Sequence, residues 1–421
     1  MPYGGFFLGN SNLFHIMNTK TTIIGAALAA LLPLTASAAD IPQHFSQEAK
    51  AKLADSIQLA PTEHQLNIVY FYGNDIEPAK DYERRLSELF LYLQQFYARE
   101  MQRNGFGPRS FGLSMLPNGN VDIITIQGKL PHKDYPYSGG HGKVQQEVAA
   151  YFAAHPEKKR SHHTLILMPT WHDAEYSDAN PGGVPFYGVG QTCYALDYAD
   201  FDLRHLGQNT PQGHLLTKWF GGMAHELGHG LNLPHNNGTA QEMKELGTPL
   251  MGAGNYTFGM RPTYLTKATC RILDRSETFA PVGDNTAFYA SNSPVTVENP
   301  QLMLEDGTLV LRFRANGNFK HVNAYIQDAP FAVNQDYEKV AFTDVKRKDG
   351  ECLLRIPLDA IAALDGAKEL RGEKAQKGVG GIDLVFVQLD GTRYTCRVTF
   401  NWADITAGGT PFLEVKSFKG C

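Results

Sequence analysis

Apolar residues in the first two thirds of the chain recur at spacings that alternate between those of strands and helices. A continuous apolar run at 66–72 predicts a buried strand, and leucines and aromatic residues at helical spacing predict a helix over 78–101. A second helix at 143–154 and an apolar strand at 164–168 repeat the alternation. This order predicts an α/β layer in which helices pack on a sheet.

The pattern changes at about residue 293. Short segments of alternating apolar and polar residues follow one another, with Asp-Gly pairs typical of turns between them. We therefore predict an α+β protein, with an α/β domain over 65–292 and a β-sandwich domain over 293–421. Residues 39–64 are polar and have no clear period, so they are predicted to form a short linker.

The segment before residue 39 has the features of an export signal. Lys20 precedes a run of about a dozen apolar residues, and Ala36-Ser37-Ala38 matches the small-residue pattern of a cleavage site. The apolar run is too short to span a bilayer. We predict a signal peptide over 1–38, translated from Met17 and cleaved near Ala38, and a periplasmic or secreted protein without a membrane anchor.

Composition and charge restrict the partners of the exported chain. Hydrophobic residues make up 43% and charged residues 19%, which predicts a folded globular protein. The formal net charge of −5 gives no basis for binding nucleic acid or an anionic membrane, both of which attract clustered cations. We expect a monomer.

Export also changes how the five cysteines are interpreted, because an oxidising compartment permits disulfides. An odd number leaves at least one cysteine unpaired or paired between chains. Cys352 and Cys396 both fall in strand-like segments, so we predict that they pair. Cys193 with Cys270 is a second candidate pair.

The chemistry is concentrated in the segment 223–235, which reads MAHELGHGLNLPH. His225 and His229 are four residues apart, so on a helix both imidazoles lie on one face and can bind one metal ion. Glu226 can accept a proton from the metal-bound water. A catalytic zinc site uses three protein ligands and leaves one position open, and His235 is in place as the third ligand.

The residues before this motif predict a helix. Thr210 is a candidate cap, and Pro211 suits the first helical turn. Gly221 and Gly222 oppose an unbroken helix, because glycine is a poor helix former. The competing interpretation of the motif is a surface helix with solvated histidines.

The pattern HExxHxxNxxH followed by Met251 resembles the metzincin family of zinc peptidases, which has HExxHxxGxxH and a methionine turn. The resemblance implies a zincin-like catalytic domain, one Zn²⁺ ion held by the three histidines, and Met251 below the metal. Asn232 replaces the family's glycine, and asparagine tolerates the left-handed backbone expected there. No subfamily is assigned.

The resemblance implies an exported zinc-dependent endopeptidase, in which zinc-bound water attacks a peptide carbonyl and Glu226 is the general base. Some metzincins carry a tyrosine soon after the methionine turn, so Tyr256 is a candidate oxyanion donor; the alternative is a core tyrosine. The substrate would be a protein or peptide, glycoproteins included.

A rival hypothesis is a non-catalytic exported binding protein that is stabilised by zinc. It would recognise a surface protein or a glycan through the β-sandwich. Glu226 argues against it, because a structural zinc site needs no base beside an open coordination position.

Two further groups of polar residues have weaker patterns. Asp173, Glu175 and Asp178 could bind Ca²⁺, although a solvated acidic loop explains them as well. Four other histidines are predicted to be surface or supporting residues rather than ligands. They are His162, His163, His205 and His214.

Overall fold

The computed structural model describes residues 41–172, 182–326, 339–361, 379–409 and 411–420. The predicted signal peptide lies outside these ranges, as do Cys421 and the acidic residues considered as possible Ca²⁺ ligands. None of the helices in the described ranges combines the length and the apolar character that a bilayer span requires.

Five strands form the first sheet: β1 (Asn67–Tyr72), β2 (Ile124–Gln127), β3 (Thr164–Pro169), β4 (Gly188–Val189) and β5 (Thr192–Asp197). Their order is β2-β1-β3-β5-β4. The first four strands in this order run parallel, whereas the edge strand β4 is antiparallel to β5. Strand β3 is buried throughout and β1 is buried except at Tyr72, in agreement with the continuous apolar runs that predicted these strands.

The same part of the chain contains the helices α1 (Gln47–Leu53), α2 (Tyr82–Arg103), α3 (His141–Ala154), α4 (Pro211–Gly230), α5 (Ala240–Leu246) and α6 (Lys267–Leu273). A two-stranded sheet of β6 (Thr248–Pro249) and β7 (Thr263–Tyr264) follows α5. The helices predicted over 78–101 and 143–154 correspond to α2 and α3. The predicted alternation of strands and helices is therefore confirmed.

The segment predicted as a linker contains α1. Ser46 caps this helix, and its backbone amide and hydroxyl both donate to the Glu88 carboxylate on α2, at 2.7 and 2.9 Å. Ala49 is fully buried in the main apolar core. The apolar pattern did not predict this helix, because it is only seven residues long and few of its side chains are buried.

A buried ion pair connects the sheet to α2. The Arg85 guanidinium donates to Asp197 at the end of β5, at 2.8 Å, and the Tyr70 hydroxyl on β1 donates to the same carboxylate at 2.9 Å. Both charged groups are excluded from solvent. A buried charge is tolerated when it is paired and hydrogen-bonded, as here.

The C-terminal third forms two antiparallel sheets. Its elements are β8 (Thr296–Glu305), β9 (Thr308–Asn316), β10 (His321–Ile326), β11 (Val340–Phe342), β12 (Val345–Lys348), β13 (Glu351–Pro357), β14 (Val379–Val387), β15 (Arg393–Asn401), α7 (Trp402–Thr406) and β16 (Glu414–Gly420). The sheet orders are β11-β10-β14-β15-β16 and β12-β13-β9-β8. Both sheets contribute to one buried apolar cluster, in which the rings of Phe313 and Phe386 meet. The architecture is α+β, as predicted.

The predicted disulfide between Cys352 and Cys396 is wrong in this structure, where both are buried free thiols. Cys352 lies on β13 and Cys396 on β15, which belong to different sheets. The Cys396 sulfur contacts the Ser417 hydroxyl at 3.2 Å. A strand-like sequence shows that a cysteine is in a sheet but does not show which sulfur it meets. Cys193 and Cys270 are also free.

Candidate metal centre

Helix α4 carries three of the predicted site residues: His225, Glu226 and His229. It begins as predicted, with Pro211 in the first turn and the Thr210 hydroxyl accepting a hydrogen bond from the Gly213 amide at 3.1 Å. The helix is continuous to Gly230. Its apolar face is buried in the main core: Leu216, Trp219, Phe220, Met223 and Leu227.

The glycines of α4 are explained by close approach rather than by flexibility. A Cβ atom at Gly221 would lie 2.2 Å from the carbonyl oxygen of Asn255, and one at Gly228 would lie 2.3 Å from the sulfur of Met251. At Gly222, a Cβ atom would lie 2.8 Å from the Phe186 ring. Side chains at these positions would push away the segments that pack against α4.

The chain reverses direction directly after α4. Asn232 has φ = 68°, the left-handed conformation predicted for this position. The Asn232 amide donates to the His229 carbonyl at 2.8 Å, and the Leu233 amide donates to the Gly228 carbonyl at 2.9 Å. This turn brings His235 back toward the histidines of α4.

The three predicted histidine ligands converge. Their Nε2 atoms lie 3.0–3.1 Å from one another. The Nδ1 atom of His225 faces the Leu250 carbonyl at 2.8 Å, and that of His229 faces the Leu233 carbonyl at 2.9 Å. A ring nitrogen that faces a carbonyl must carry the proton, so in the neutral rings both Nε2 atoms present lone pairs.

Lone pairs that point at one another repel unless a cation lies between them. Burial, together with the neighbouring His229, lowers the pKa of His225 to about 3, so this ring is neutral at physiological pH. Neutral imidazole is the form that binds metals. Among the described residues, the triad is the group of histidine, cysteine and acidic side chains with the geometry to hold a metal ion.

Met251 and the preceding Leu250 contact the residues around the triad. Met251 is buried, and its carbonyl accepts a hydrogen bond from the Asn236 amide at 3.1 Å. Leu250 provides the carbonyl that orients His225. The structure therefore places the predicted methionine turn in contact both with α4 and with the loop that carries His235.

Glu226 lies beside the triad and in contact with the edge strand β4. Its carboxylate accepts a hydrogen bond from the Gly188 backbone amide, although burial still raises its pKa to about 8. A bound cation would oppose this shift, because positive charge favours the carboxylate. The Gly188 contact could not be found from the sequence, since no local pattern links it to Glu226.

Tyr256 lies in a 3₁₀ turn, Gly254–Tyr256, shortly after Met251. Its side chain is 44% exposed, so it is not the core tyrosine that was the alternative. The ammonium group of Lys218 on α4 lies 4.2 Å from the centre of its ring. The sequence pattern did not predict a role for Lys218, although it lies seven residues before His225, on the same helix face.

His163 is the supporting residue of most consequence among the remaining histidines. It is fully buried, its Nδ1 lies 2.6 Å from the carbonyl of Gly230 at the end of α4, and its Nε2 lies 2.6 Å from the Tyr289 hydroxyl. Burial lowers its pKa to about 4. His163 thus satisfies a terminal carbonyl of α4, whereas His162 is half-exposed.

Comparison with solved structures identifies close relatives. Wild-type OgpA from Akkermansia muciniphila is 48% identical, with a TM-score of 0.75, over 84% of this chain and 97% of its own. A catalytically inactive OgpA in complex with an O-glycopeptide substrate, glycodrosocin, is 45% identical, with a TM-score of 0.75, over 87% of this chain and 98% of its own. Protein-family models and curated protein sequences gave no match.

Proposed function

Because the chain belongs to the same protein family as OgpA, we propose that it is an exported zinc-dependent endopeptidase that cleaves O-glycosylated peptides. The observation that carries the proposal is the convergence of three imidazole nitrogens beside a carboxylate. The substrate class follows from the relative, which was crystallised with an O-glycopeptide. The metzincin subfamily stays unassigned.

The donor set fits zinc. Three imidazole nitrogens are typical zinc ligands, and tetrahedral coordination at a Zn–N distance of about 2.1 Å separates ligand atoms by roughly 3.4 Å. The observed separations of 3.0–3.1 Å are close to this value. When bound, zinc would lower the pKa of a water molecule and polarise the scissile carbonyl.

The chain's own residues would supply the proton transfer and the orientation. Glu226 would take a proton from the attacking water and pass it to the leaving amine. The carbonyls of Leu250 and Leu233 would fix the tautomers of His225 and His229. Tyr256, exposed beyond the methionine turn, would donate to the developing oxyanion.

The edge strand β4 would receive the substrate backbone. Among the described strands it ends the first sheet, and its Gly188 amide bonds Glu226. An extended peptide can add to such an edge through main-chain hydrogen bonds. This arrangement would place a peptide bond next to the general base.

In this proposal residues 65–292 form a zincin-like catalytic domain and residues 293–421 form a β-sandwich. The preceding signal peptide would direct the chain to the periplasm or the exterior. The binding-protein alternative is not favoured. One solved structure of OgpA is described as catalytically inactive, which implies that wild-type OgpA is an enzyme.

The test compares Glu226→Ala with the wild type on an O-glycopeptide and on the same peptide without the glycan. We expect the variant to retain bound zinc and to lose about 10²–10⁴-fold in turnover. Glu157→Ala, at a side chain that is 66% exposed, is the control and should behave as the wild type. Equal cleavage by Glu226→Ala would contradict the assignment of the base. A zinc-loaded wild type that binds the glycopeptide without cleaving it would favour the alternative.

A further inference from the structure

The loop that follows His235 is hydrogen-bonded to the five-stranded sheet β11-β10-β14-β15-β16, which is called the C-terminal sheet from here on. The Asn237 amide donates to the Lys339 carbonyl at 2.7 Å, and the Ala341 amide donates back to the Asn237 carbonyl at 2.9 Å. Asn237 and Val340 thereby form a parallel bridge. Strand β11 is thus paired to backbone that lies two residues beyond the third histidine.

The residue between His235 and this bridge is also fixed. Asn236 is fully buried, and its side-chain oxygen accepts a hydrogen bond from the Thr266 hydroxyl at 2.7 Å. Its amide nitrogen donates to the Thr269 hydroxyl at 3.2 Å. Thr266 caps α6, and Thr269 lies in its first turn, so this helix holds the side chain next to the ligand.

Helix α6 is itself attached to the same part of the C-terminal sheet. The Arg271 guanidinium donates to the carbonyls of Val322 and Thr343, at 3.0 and 2.7 Å. The Asn323 side chain on β10 donates to the Ala268 carbonyl at 2.9 Å. Two routes therefore lead from the C-terminal sheet to the loop: the direct bridge, and the contacts through α6.

Residue 339, whose carbonyl accepts from Asn237, is held by a largely buried ion pair. The Lys339 ammonium donates to Asp383 on β14 at 3.0 Å, and the Arg397 guanidinium on β15 donates to the same carboxylate. These cations, opposing the effect of burial, lower the pKa of Asp383. The residue that pairs with Asn237 is thus connected, through Asp383, to the central strands of the sheet.

We propose that the C-terminal sheet positions the third metal ligand, with β11 fixing the backbone beyond His235. The inference rests on the metal site of the proposed function. His225 and His229 are fixed by one helix, whereas His235 lies in a loop whose position depends on what it is bonded to. Residues that orient a metal ligand typically change metal affinity by about 10–100-fold when they are altered.

Ala341→Pro tests the direct bridge. The Ala341 amide donates outward to Asn237 rather than to β10, and an edge strand tolerates proline where the amide faces away from its ladder. Ala341→Gly is the matched control, because it removes the methyl group and keeps the amide proton. Zn²⁺ affinity is measured by competition with a chelator, and coordination geometry by the visible spectrum of the Co²⁺ form.

We expect Ala341→Pro to bind Zn²⁺ about 10–100-fold more weakly, with an altered Co²⁺ spectrum, while Ala341→Gly stays near the wild type. A folded Ala341→Pro protein with wild-type affinity and spectrum would overturn the proposal. Both measurements use metal alone. A wild type that binds zinc but cleaves no glycopeptide would therefore contradict the proposed function and not this inference.

Hydrogen exchange on the unaltered full-length protein gives a second test that needs no variant. If β11 holds the ligand, binding of Zn²⁺ must in turn stabilise the bridge, because such coupling is reciprocal. The amides of Asn237 and Ala341 should then exchange more slowly with Zn²⁺ than without it. Slower exchange on α4 with unchanged exchange at Ala341 would refute the coupling.

Discussion

Replacing Gly221 by alanine should separate the intrinsic helix preference of α4 from its tertiary packing. In a free helix the change stabilises by roughly 0.5–1 kcal/mol, because alanine loses less backbone entropy. In this helix the new methyl group would lie 2.2 Å from the Asn255 carbonyl oxygen and 2.9 Å from the Cβ atom of Phe258. The Asn255 backbone must therefore retreat by about 1 Å to reach an ordinary contact distance of 3.4 Å.

Overpacking of this kind costs about 1–3 kcal/mol. The atom contacted here belongs to the backbone, which moves less easily than a side chain, so we expect a cost at the upper end of this range. We expect a net loss of about 2 kcal/mol, which lowers the melting temperature by about 4–8 °C. Gly142→Ala on α3 is the matched control. A Cβ atom there meets nothing within 4 Å, so the variant should be as stable as the wild type or slightly more stable.

Thermal unfolding followed by circular dichroism compares the three proteins at one protein and metal concentration. A Gly221→Ala protein at least as stable as the wild type would refute the reasoning, because helix preference would then outweigh the contact. If the reasoning holds, peptidase turnover should fall as well, since the displaced turn continues directly into Tyr256.

Two further predictions concern stability. Asn232→Ala should cost about 1 kcal/mol in denaturant unfolding and Asn232→Gly less, because only the alanine carries a Cβ atom into the left-handed region; the reverse order would contradict this. Burial alone would raise the pKa of Asp274, but hydrogen bonds from His321 and Lys320 bring it well below the ordinary 3.8. The carboxylate therefore stabilises the fold above about pH 4, and this contribution is lost as the pH falls further. Asp274→Asn should be less stable than the wild type at pH 7, with a difference that shrinks below pH 4 and not above it.

The sequence predicted the parts of the site that depend on local spacing. Residues four apart on a helix share a face wherever the helix lies, so His225 and His229 could be paired without tertiary information. The left-handed backbone at Asn232 was expected from the resemblance, because the metzincin pattern has a glycine at this position and asparagine tolerates the conformation.

Contacts between distant segments could not be predicted in this way. The hydrogen bond of Glu226 with Gly188, and the bridge between Asn237 and Val340, depend on how separate elements pack. Gly221 wrongly suggested a break in α4, because glycine has a poor helix propensity. The glycine is instead needed for the close contact with Asn255, which leaves no room for a side chain.

The lack of a side chain at Gly188 determines how closely strand β4 packs against helix α4. A Cβ atom at this position would lie 2.7 Å from the Cβ atom of His229, so the backbone of β4 packs directly against α4. The same residue donates its amide to Glu226. A single methyl group here would lift the strand from the helix, stretch that hydrogen bond and raise any peptide paired to β4 away from the histidines. If a peptide pairs with β4 as proposed, its distance from the three histidines would therefore depend on the absence of a side chain at Gly188.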